Sequence, residues 1–232
     1  VFIGKAFTVL NGTGIIVVGK IGRMNNATSM GLFVAVKGLA MPIPPPVPPA
    51  VPIGYLTEIG GGFFLNPDQA DLDLVKQLAG FSGKDQQTSS KIGTDPGKFA
   101  VLLYGGVALI EPTGTLIKGK VLMTITENYF LLDGQVILLS LDNLLEGSMH
   151  LGVDWKNGIK AEGSITVTLD VSALLYAKAD LNFFIYGKDA WGIMGKVDAK
   201  VVMVFDMHGK LFIGSTGFLV SLSISQPIDL WV

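Results

Sequence analysis

Apolar and polar residues alternate with a period of two along much of the chain, most regularly after residue 164. Every second residue from Ile165 to Ile185 is apolar, and the alternation returns from Val197 to Phe205. A period of two places neighbouring side chains on opposite faces of a strand, so one face is predicted to be buried and the other wet. The residues predicted to share an apolar face, for packing or for a ligand, are Ile165, Val167, Leu169, Val171, Leu175, Leu181, Phe183, Ile185, Val201, Met203 and Phe205.

Turn signals divide the chain after residue 98 into strands that are longer than the usual length of roughly five to six residues. A further turn near Ser172-Ala173 would preserve the alternation. The pattern predicts an all-β fold, a long antiparallel meander that forms an elongated sheet, a gutter, a sandwich or a barrel, because the period is the same in all four. The predicted turns lie at residues 111–114, 127–128, 133–134, 157–158, 187–189 and 208–209.

The first 97 residues predict two or three strands, a proline-rich segment, one helix and a loop. Proline fixes φ and lacks an N–H, so residues 41–52 are predicted to be a stiff connector, with a ligand for an aromatic-lined groove as the alternative. The single short helix is predicted near residues 68–79, between Pro67 and Gly80. Residues 82–97 are predicted to form a flexible, polar loop.

The composition is unusually apolar and weakly charged. Charged residues make up 16% of the chain, against roughly a quarter in an ordinary soluble domain, and the mean hydropathy is +0.52. This surplus indicates burial against a homo-oligomeric neighbour, a larger assembly, further chain, a lipid or a bilayer. A net charge of −2 without a basic run argues against nucleic acid, and no stretch of about 18 residues is apolar enough for a transmembrane helix.

The sequence offers little catalytic chemistry. It contains no cysteine and two histidines, His150 and His208, neither with His, Asp or Glu at metal-ligand spacing. We therefore expect no catalytic, cofactor or metal site and no enzymatic activity. The carboxylate pairs that could support acid–base chemistry, which we expect instead on the wet faces of strands, are Asp170 with Asp180 and Asp198 with Asp206.

The run from Ile59 to Pro67, Ile-Gly-Gly-Gly-Phe-Phe-Leu-Asn-Pro, resembles a motif of large β-rich bacterial proteins that carry a domain of unknown function. In those proteins a Gly-Gly-Phe-Gly-Tyr-Asn run precedes a short helix. The resemblance spans Leu32–Leu78 and departs at Phe64, where glycine is expected, and at Leu65, where an aromatic residue is expected. It implies that residues 1–232 are a single β-rich domain from a larger elongated protein, as the start at Val1 also suggests. The compartment stays open, with an extracellular or cell-envelope location as one expectation.

Three functions fit these features. The first is a structural or assembly protein whose extended amphipathic sheet packs against other subunits or further chain. The second is a carrier of lipid or another hydrophobic ligand, for which small residues such as Ala173, Ala177 and Ala179 would leave room. The third is an outer-membrane barrel, against which the proline-rich segment and the helix argue.

Overall fold

A computed structural model describes residues 2–10, 13–24, 27–44, 52–81, 92–93, 95–138, 144–156, 158–171, 174–201 and 204–225. They form one sheet of thirteen antiparallel strands, each paired with its neighbours in sequence. The strands are β1 Phe2–Leu10, β2 Thr13–Met24, β3 Ala27–Ile43, β4 Gly54–Leu65, β5 Phe99–Leu109, β6 Ile117–Thr126, β7 Tyr129–Leu138, β8 Leu145–Asp154, β9 Lys160–Val171, β10 Leu175–Tyr186, β11 Ala190–Val201, β12 Phe205–Gly214 and β13 Gly217–Ser225. Helix α1, Gln69–Leu78, connects β4 to β5.

The predicted all-β meander with one short helix is confirmed. Within the described ranges β1 and β13 lie at opposite edges and do not pair, so the sheet is open rather than closed into a barrel. The strands contain 9 to 17 residues. Between β9 and β10 the amide of Leu174 donates to the carbonyl of Val171 at 2.9 Å. Val171 then lies opposite Leu175, so the alternation keeps its phase through this turn.

Two predicted turns are wrong. Asp133-Gly134 lies within β7, and His208-Gly209 lies within β12. The connection from β11 to β12 comes earlier, where the amide of Val204 donates to the carbonyl of Val201 at 3.0 Å. Asp-Gly and His-Gly favour turns locally, but apolar residues on both sides keep the phase of a single strand. Register across the neighbouring strands therefore outweighs the local preference.

Helix α1 packs on one side of the sheet, called here the helix face. The side chains of Leu72 and Val75 and the following Ala79 are buried in a single hydrophobic cluster with residues of the sheet. These apolar sheet residues lie under the helix, and their burial is the main force that docks it. The principal partners in the sheet are Ile16, Val18, Phe33, Phe64, Leu102, Tyr104, Leu122 and Tyr129.

The first turn of α1 is held to β2 by buried charges. Asp68 is the N-cap and forms a capping box with Asp71. The Lys20 ammonium donates to Asp68 at 2.9 Å and to Asp71 at 2.7 Å. Burial lowers the pKa of Lys20, but the hydrogen bonds and charges of the two carboxylates outweigh it and raise that pKa above its ordinary value. The arrangement pairs a lysine that would be costly to bury alone.

The other end of α1 is held by two more lysines of the sheet. Lys37 donates to the carbonyl of Leu78 at 3.1 Å, and Lys120 donates to the carbonyl of Gly80 at 2.6 Å. The last carbonyls of a helix have no partner within the helix and carry partial negative charge, so ammonium groups stabilise them. Gly80 follows the cap with a φ of 82°, which ends the helix as predicted.

The predicted connector and loop are described only in part. Strand β3 takes in Met41–Ile43, the first residues of the connector, while residues 45–51 lie outside the described residues. Of the loop, residues 82–91 and 94 also lie outside them. Its later part packs on the protein, since Ile92 is 4% exposed and belongs to the hydrophobic cluster under α1. An apolar side chain thus anchors the end of a largely polar segment.

Glycine on the helix face is required by packing, and a matched pair of variants tests this. A Cβ at Gly60 would lie 2.6 Å from the Cβ of Ala35 and 2.8 Å from the carbonyl oxygen of Val34. We expect Gly60→Ala to lower the free energy of unfolding by about 1–3 kcal/mol. A Cβ at Gly105, on the opposite face of β5, meets nothing within 4 Å, so Gly105→Ala should change it by less than about 0.5 kcal/mol. Urea unfolding measures both, and equal effects would contradict the assignment.

Candidate functional site

The side of the sheet opposite α1, called here the apolar face, carries no polar position from β5 to β13. Strand alternation and register place residues of this face beside one another, as in the row Gly105, Val121, Gly134, Met149 and Ile165. Every strand position of this face from β5 to β13 is a hydrophobic residue or glycine. The face therefore offers hydrocarbon surface and no hydrogen-bonding side chain except the indole of Trp191.

The apolar face is far larger than the hydrophobic patches of ordinary monomers. Strands about 4.8 Å apart, with a rise of about 3.3 Å per residue, give a face of roughly 1,500 Å² from β5 to β13, against the roughly 300–600 Å² of a typical largest patch. Its residues remain accessible, since Ile165 and Leu181 are each 45% exposed. This extent indicates that the face contacts something other than water.

Ten of the eleven residues predicted to share an apolar face lie on this face. Val171, Leu175, Val201 and Phe205 form one row across four strands. Met203 lies outside the described residues. The remaining predicted residues lie on β9 and β10, where each is opposite another residue of the face: Ile165 with Leu181, Val167 with Ala179, Leu169 with Ala177, Phe183 with Gly163, and Ile185 with Ala161.

A groove of about 480 Å³ crosses the strands on the apolar face. It begins at Leu56 of β4 and ends at Ile165 and Val167 of β9. Five strand-to-strand steps of about 4.8 Å give it a length of roughly 24 Å. Of the predicted residues, only these two of β9 line the groove. The rest of its apolar-face lining, which the sequence did not single out, is Gly105, Val107, Gly119, Val121, Gly134, Val136, Gly147 and Met149.

Glycines of β5 to β8 leave the space that this groove occupies. A Cβ at Gly105 would meet nothing within 4 Å, and a Cβ at Gly119 would come no closer than 3.5 Å to any atom. On the helix face the opposite holds: a Cβ at Gly31 would lie 2.0 Å from the ring of Phe64. The groove glycines are therefore not required by contact within the sheet. One glycine at an apolar-face position of each of four consecutive strands is the sequence signal that could have located the groove.

A buried ionic cluster lies on the helix face. The Asp133 side chain is 2% exposed and contacts the Lys76 ammonium at 3.0 Å and the His150 Nδ1 at 2.8 Å. Burial raises the pKa of Asp133, but the hydrogen bond with His150 and the charge of Lys76 outweigh it and hold that pKa below its usual range. The His150 Nε2 is buried and has no hydrogen-bond partner among the described residues. The cluster joins α1 to β7 and β8.

The four carboxylates that the sequence singled out, Asp170, Asp180, Asp198 and Asp206, lie on the helix face beyond α1, where this face is polar. Asp180 accepts a hydrogen bond from the Thr166 hydroxyl at 2.7 Å, and Asp198 lies 2.7 Å from the His208 Nδ1. These are cross-strand polar pairs of a wet face. In the part of the chain that the structure describes, no three His, Cys, Asp or Glu side chains come together as metal ligands. Nor is any helix there long and apolar enough to span a membrane.

Comparison with protein-family models, with curated proteins and with solved structures finds no match for this chain. The resemblance of Leu32–Leu78 to a domain of β-rich bacterial proteins thus stays a prediction. The structure places the glycine-rich run of that segment in β4, directly before α1. The features of the molecule that bear on its function are the two faces and the edges of the sheet.

The Asp133 cluster predicts a specific acid sensitivity. The pKa of Asp133 is lowered in the folded state. The stability that this carboxylate contributes is therefore complete above its unfolded-state pKa of about 3.9, and it is lost as the pH falls through its folded-state pKa. We expect Asp133→Asn to lower the free energy of unfolding at pH 7 by on the order of 1–3 kcal/mol. The variant should also lose less stability than the wild type between about pH 5 and pH 3. Urea titrations across this range measure both, and parallel pH curves would contradict the role given to Asp133.

Proposed function

We propose that this protein is a carrier of hydrophobic ligands, whose hydrocarbon chains lie in the groove on the apolar face. The observation that carries the proposal is the open space in front of the glycines of β5 to β8, within a face that has only hydrophobic residues around it. A volume of about 480 Å³ falls within the roughly 300–1,000 Å³ of ligand-binding clefts. No catalytic step belongs to the proposal.

The chemistry of the groove favours a hydrocarbon chain. Such a chain makes no hydrogen bonds, so it loses none when it leaves water for a surface of Val, Met and Ile side chains and glycine Cα atoms. Each methylene that is buried contributes about 0.8 kcal/mol. A ligand with polar groups along its length would leave those groups without partners on this face, which costs free energy. A lipid-like molecule, with its polar end in water and its chain in the groove, meets both conditions.

The glycines favour a ligand over a tightly packed protein surface at this part of the face. Glycine weakens a strand because it gains no packing and loses more backbone freedom on folding. A sheet that only had to pack against another sheet would be more stable with side chains at these positions, since protein interiors are close-packed. A flexible hydrocarbon chain can instead fill the depression that Gly119 and Gly134 leave.

A second candidate function is structural assembly, which the sequence placed first. The extent of the apolar face favours it, because the face continues beyond the groove from β10 to β13, where Phe218 is 81% exposed. That part lacks the groove and could pack against another subunit or further chain. Native mass spectrometry together with solvent extraction separates the two candidates. Stoichiometric bound lipid, at whatever assembly mass, supports the carrier, and a lipid-free assembly supports the scaffold.

A groove-filling variant tests the carrier directly. In Gly119→Leu the Cβ comes no closer than 3.5 Å to the backbone, and the new side chain displaces about three methylenes of ligand at about 0.8 kcal/mol each. We expect roughly fiftyfold weaker binding of a fluorescent fatty acid, with the free energy of unfolding unchanged or raised. Gly195→Leu is the matched control, because Gly195 lies on the same face in β11 but outside the groove. Equal affinity of both variants and the wild type would exclude the groove as the site.

Chain length gives an independent measurement. If the groove buries hydrocarbon, the affinity for unbranched fatty acids should rise about fourfold for each added methylene, which is the equivalent of about 0.8 kcal/mol. The rise should stop when the chain exceeds the roughly 24 Å between β4 and β9. Displacement of a fluorescent fatty acid by acids of increasing length measures this. Affinity that does not depend on chain length would contradict the proposal.

A further inference from the structure

Strand β13 lies at one edge of the described sheet, and no described residue covers it. All nine of its residues are exposed, and among the described residues it pairs only with β12. A regular edge strand presents a row of free N–H and C=O groups, on which another strand can pair. Its sequence, Gly-Phe-Leu-Val-Ser-Leu-Ser-Ile-Ser, has no charged residue and no proline.

Natural edge strands normally carry a device that prevents pairing, such as a lysine, a proline or a bulge. The strand at the other edge of this sheet, β1, has such a lysine in its sequence, Lys5. Along β13 the register to β12 runs unbroken from Gly217 to Ser225, without a bulge. The two edges therefore differ, and only β13 combines a regular backbone with an uncharged, apolar composition.

We propose that β13 pairs antiparallel with β13 of a second copy of this chain, about a twofold axis perpendicular to the sheet. Such an axis reverses the strand direction and keeps the same face uppermost, so the apolar face of one copy continues into that of the other. With Ser221 at the axis, all nine residues of the strand are paired. Phe218 then lies opposite Ile224 of the second copy, and Val220 opposite its Leu222.

This register matches apolar residues with apolar residues on the apolar face. The apolar-face residues of β13, Phe218, Val220, Leu222 and Ile224, meet only each other. On the helix face Ser221 meets its own copy, and Ser223 meets Leu219. Aromatic and β-branched cross-strand pairs stabilise a sheet beyond its backbone hydrogen bonds. In a twofold contact the β13 strands of both copies are paired with each other, so no β13 edge remains free and assembly through this edge stops at two copies.

The pairing concerns an edge and not a face, so it goes beyond the proposed function and does not depend on what fills the groove. A dimer that carries no lipid would leave this inference intact, and a lipid-bound monomer would overturn it while leaving the carrier intact. Sedimentation equilibrium of the lipid-extracted protein at micromolar concentration measures the mass of the lipid-free assembly. We expect twice the chain mass of 24.6 kDa.

A cysteine at the axis tests the register. The chain has no cysteine, so Ser221→Cys introduces a single thiol, and directly opposed Cβ atoms lie about 4.5–5.5 Å apart. We expect mild oxidation or a short bis-maleimide to convert this variant to a covalent dimer. Ser164→Cys, on the same face in the interior strand β9, is the matched control and should stay uncrosslinked. Equal crosslinking of the two variants would overturn the pairing at β13.

A lysine on the edge tests the contact without changing the fold. In Val220→Lys each copy places a charge opposite the apolar Leu222 of the other, and both symmetric pairs are lost. We expect the dissociation constant of the dimer to rise at least about tenfold. Val204→Lys changes another exposed valine, in the turn before β12, and is the control that should leave the dimer unchanged. A monomeric wild type, or a dimer that Val220→Lys leaves intact, would overturn the proposal.

Discussion

The thirteen strands form a single layer, and the described residues cover only part of one side of it. Helix α1 lies on the helix face, where Leu72 and Val75 pack on the sheet and lysines of β2, β3 and β6 hold the two helix ends. Nothing among the described residues covers the apolar face. Because a hydrophobic surface of this size is unfavourable in water, the properties proposed for the protein follow from this one-sided cover.

Glycine has two opposite uses in the sheet. At Gly31 and Gly60 on the helix face a side chain would collide with neighbouring strands, so glycine permits close packing beneath α1. At Gly105 and Gly119 on the apolar face a side chain would meet little, so glycine leaves a depression. The first use stabilises the fold. The second lowers strand stability slightly and forms the groove, which is why we connect it with a ligand rather than with the fold.

The face and the edge of the sheet offer different kinds of contact. The apolar face presents side chains and can hold hydrocarbon of no fixed shape, whereas β13 presents backbone groups that require an extended strand as partner. A twofold contact at β13 would place the apolar faces of two copies side by side as one longer surface. A carrier of hydrophobic ligands and an assembly of sheets are therefore compatible in the same molecule.

The sequence by itself determined the local features. The period of two predicted long strands and placed Ile165, Leu181 and their neighbours on one face, because side-chain direction in a strand depends only on position along it. Asp68 and Gly80 likewise mark the ends of α1, because caps act within one turn of a helix.

Only the tertiary structure decided which residues of distant strands lie side by side. Asp133-Gly134 lies inside β7 rather than in a turn, because register with β6 and β8 and the contacts of Asp133 with Lys76 and His150 outweigh the local signal. The groove depends on the register of Gly105, Gly119, Gly134 and Gly147 across four strands, and the open edge depends on the absence of closure in the described sheet. Register and closure are set by contacts between residues far apart in the chain, so a pattern along the sequence does not contain them.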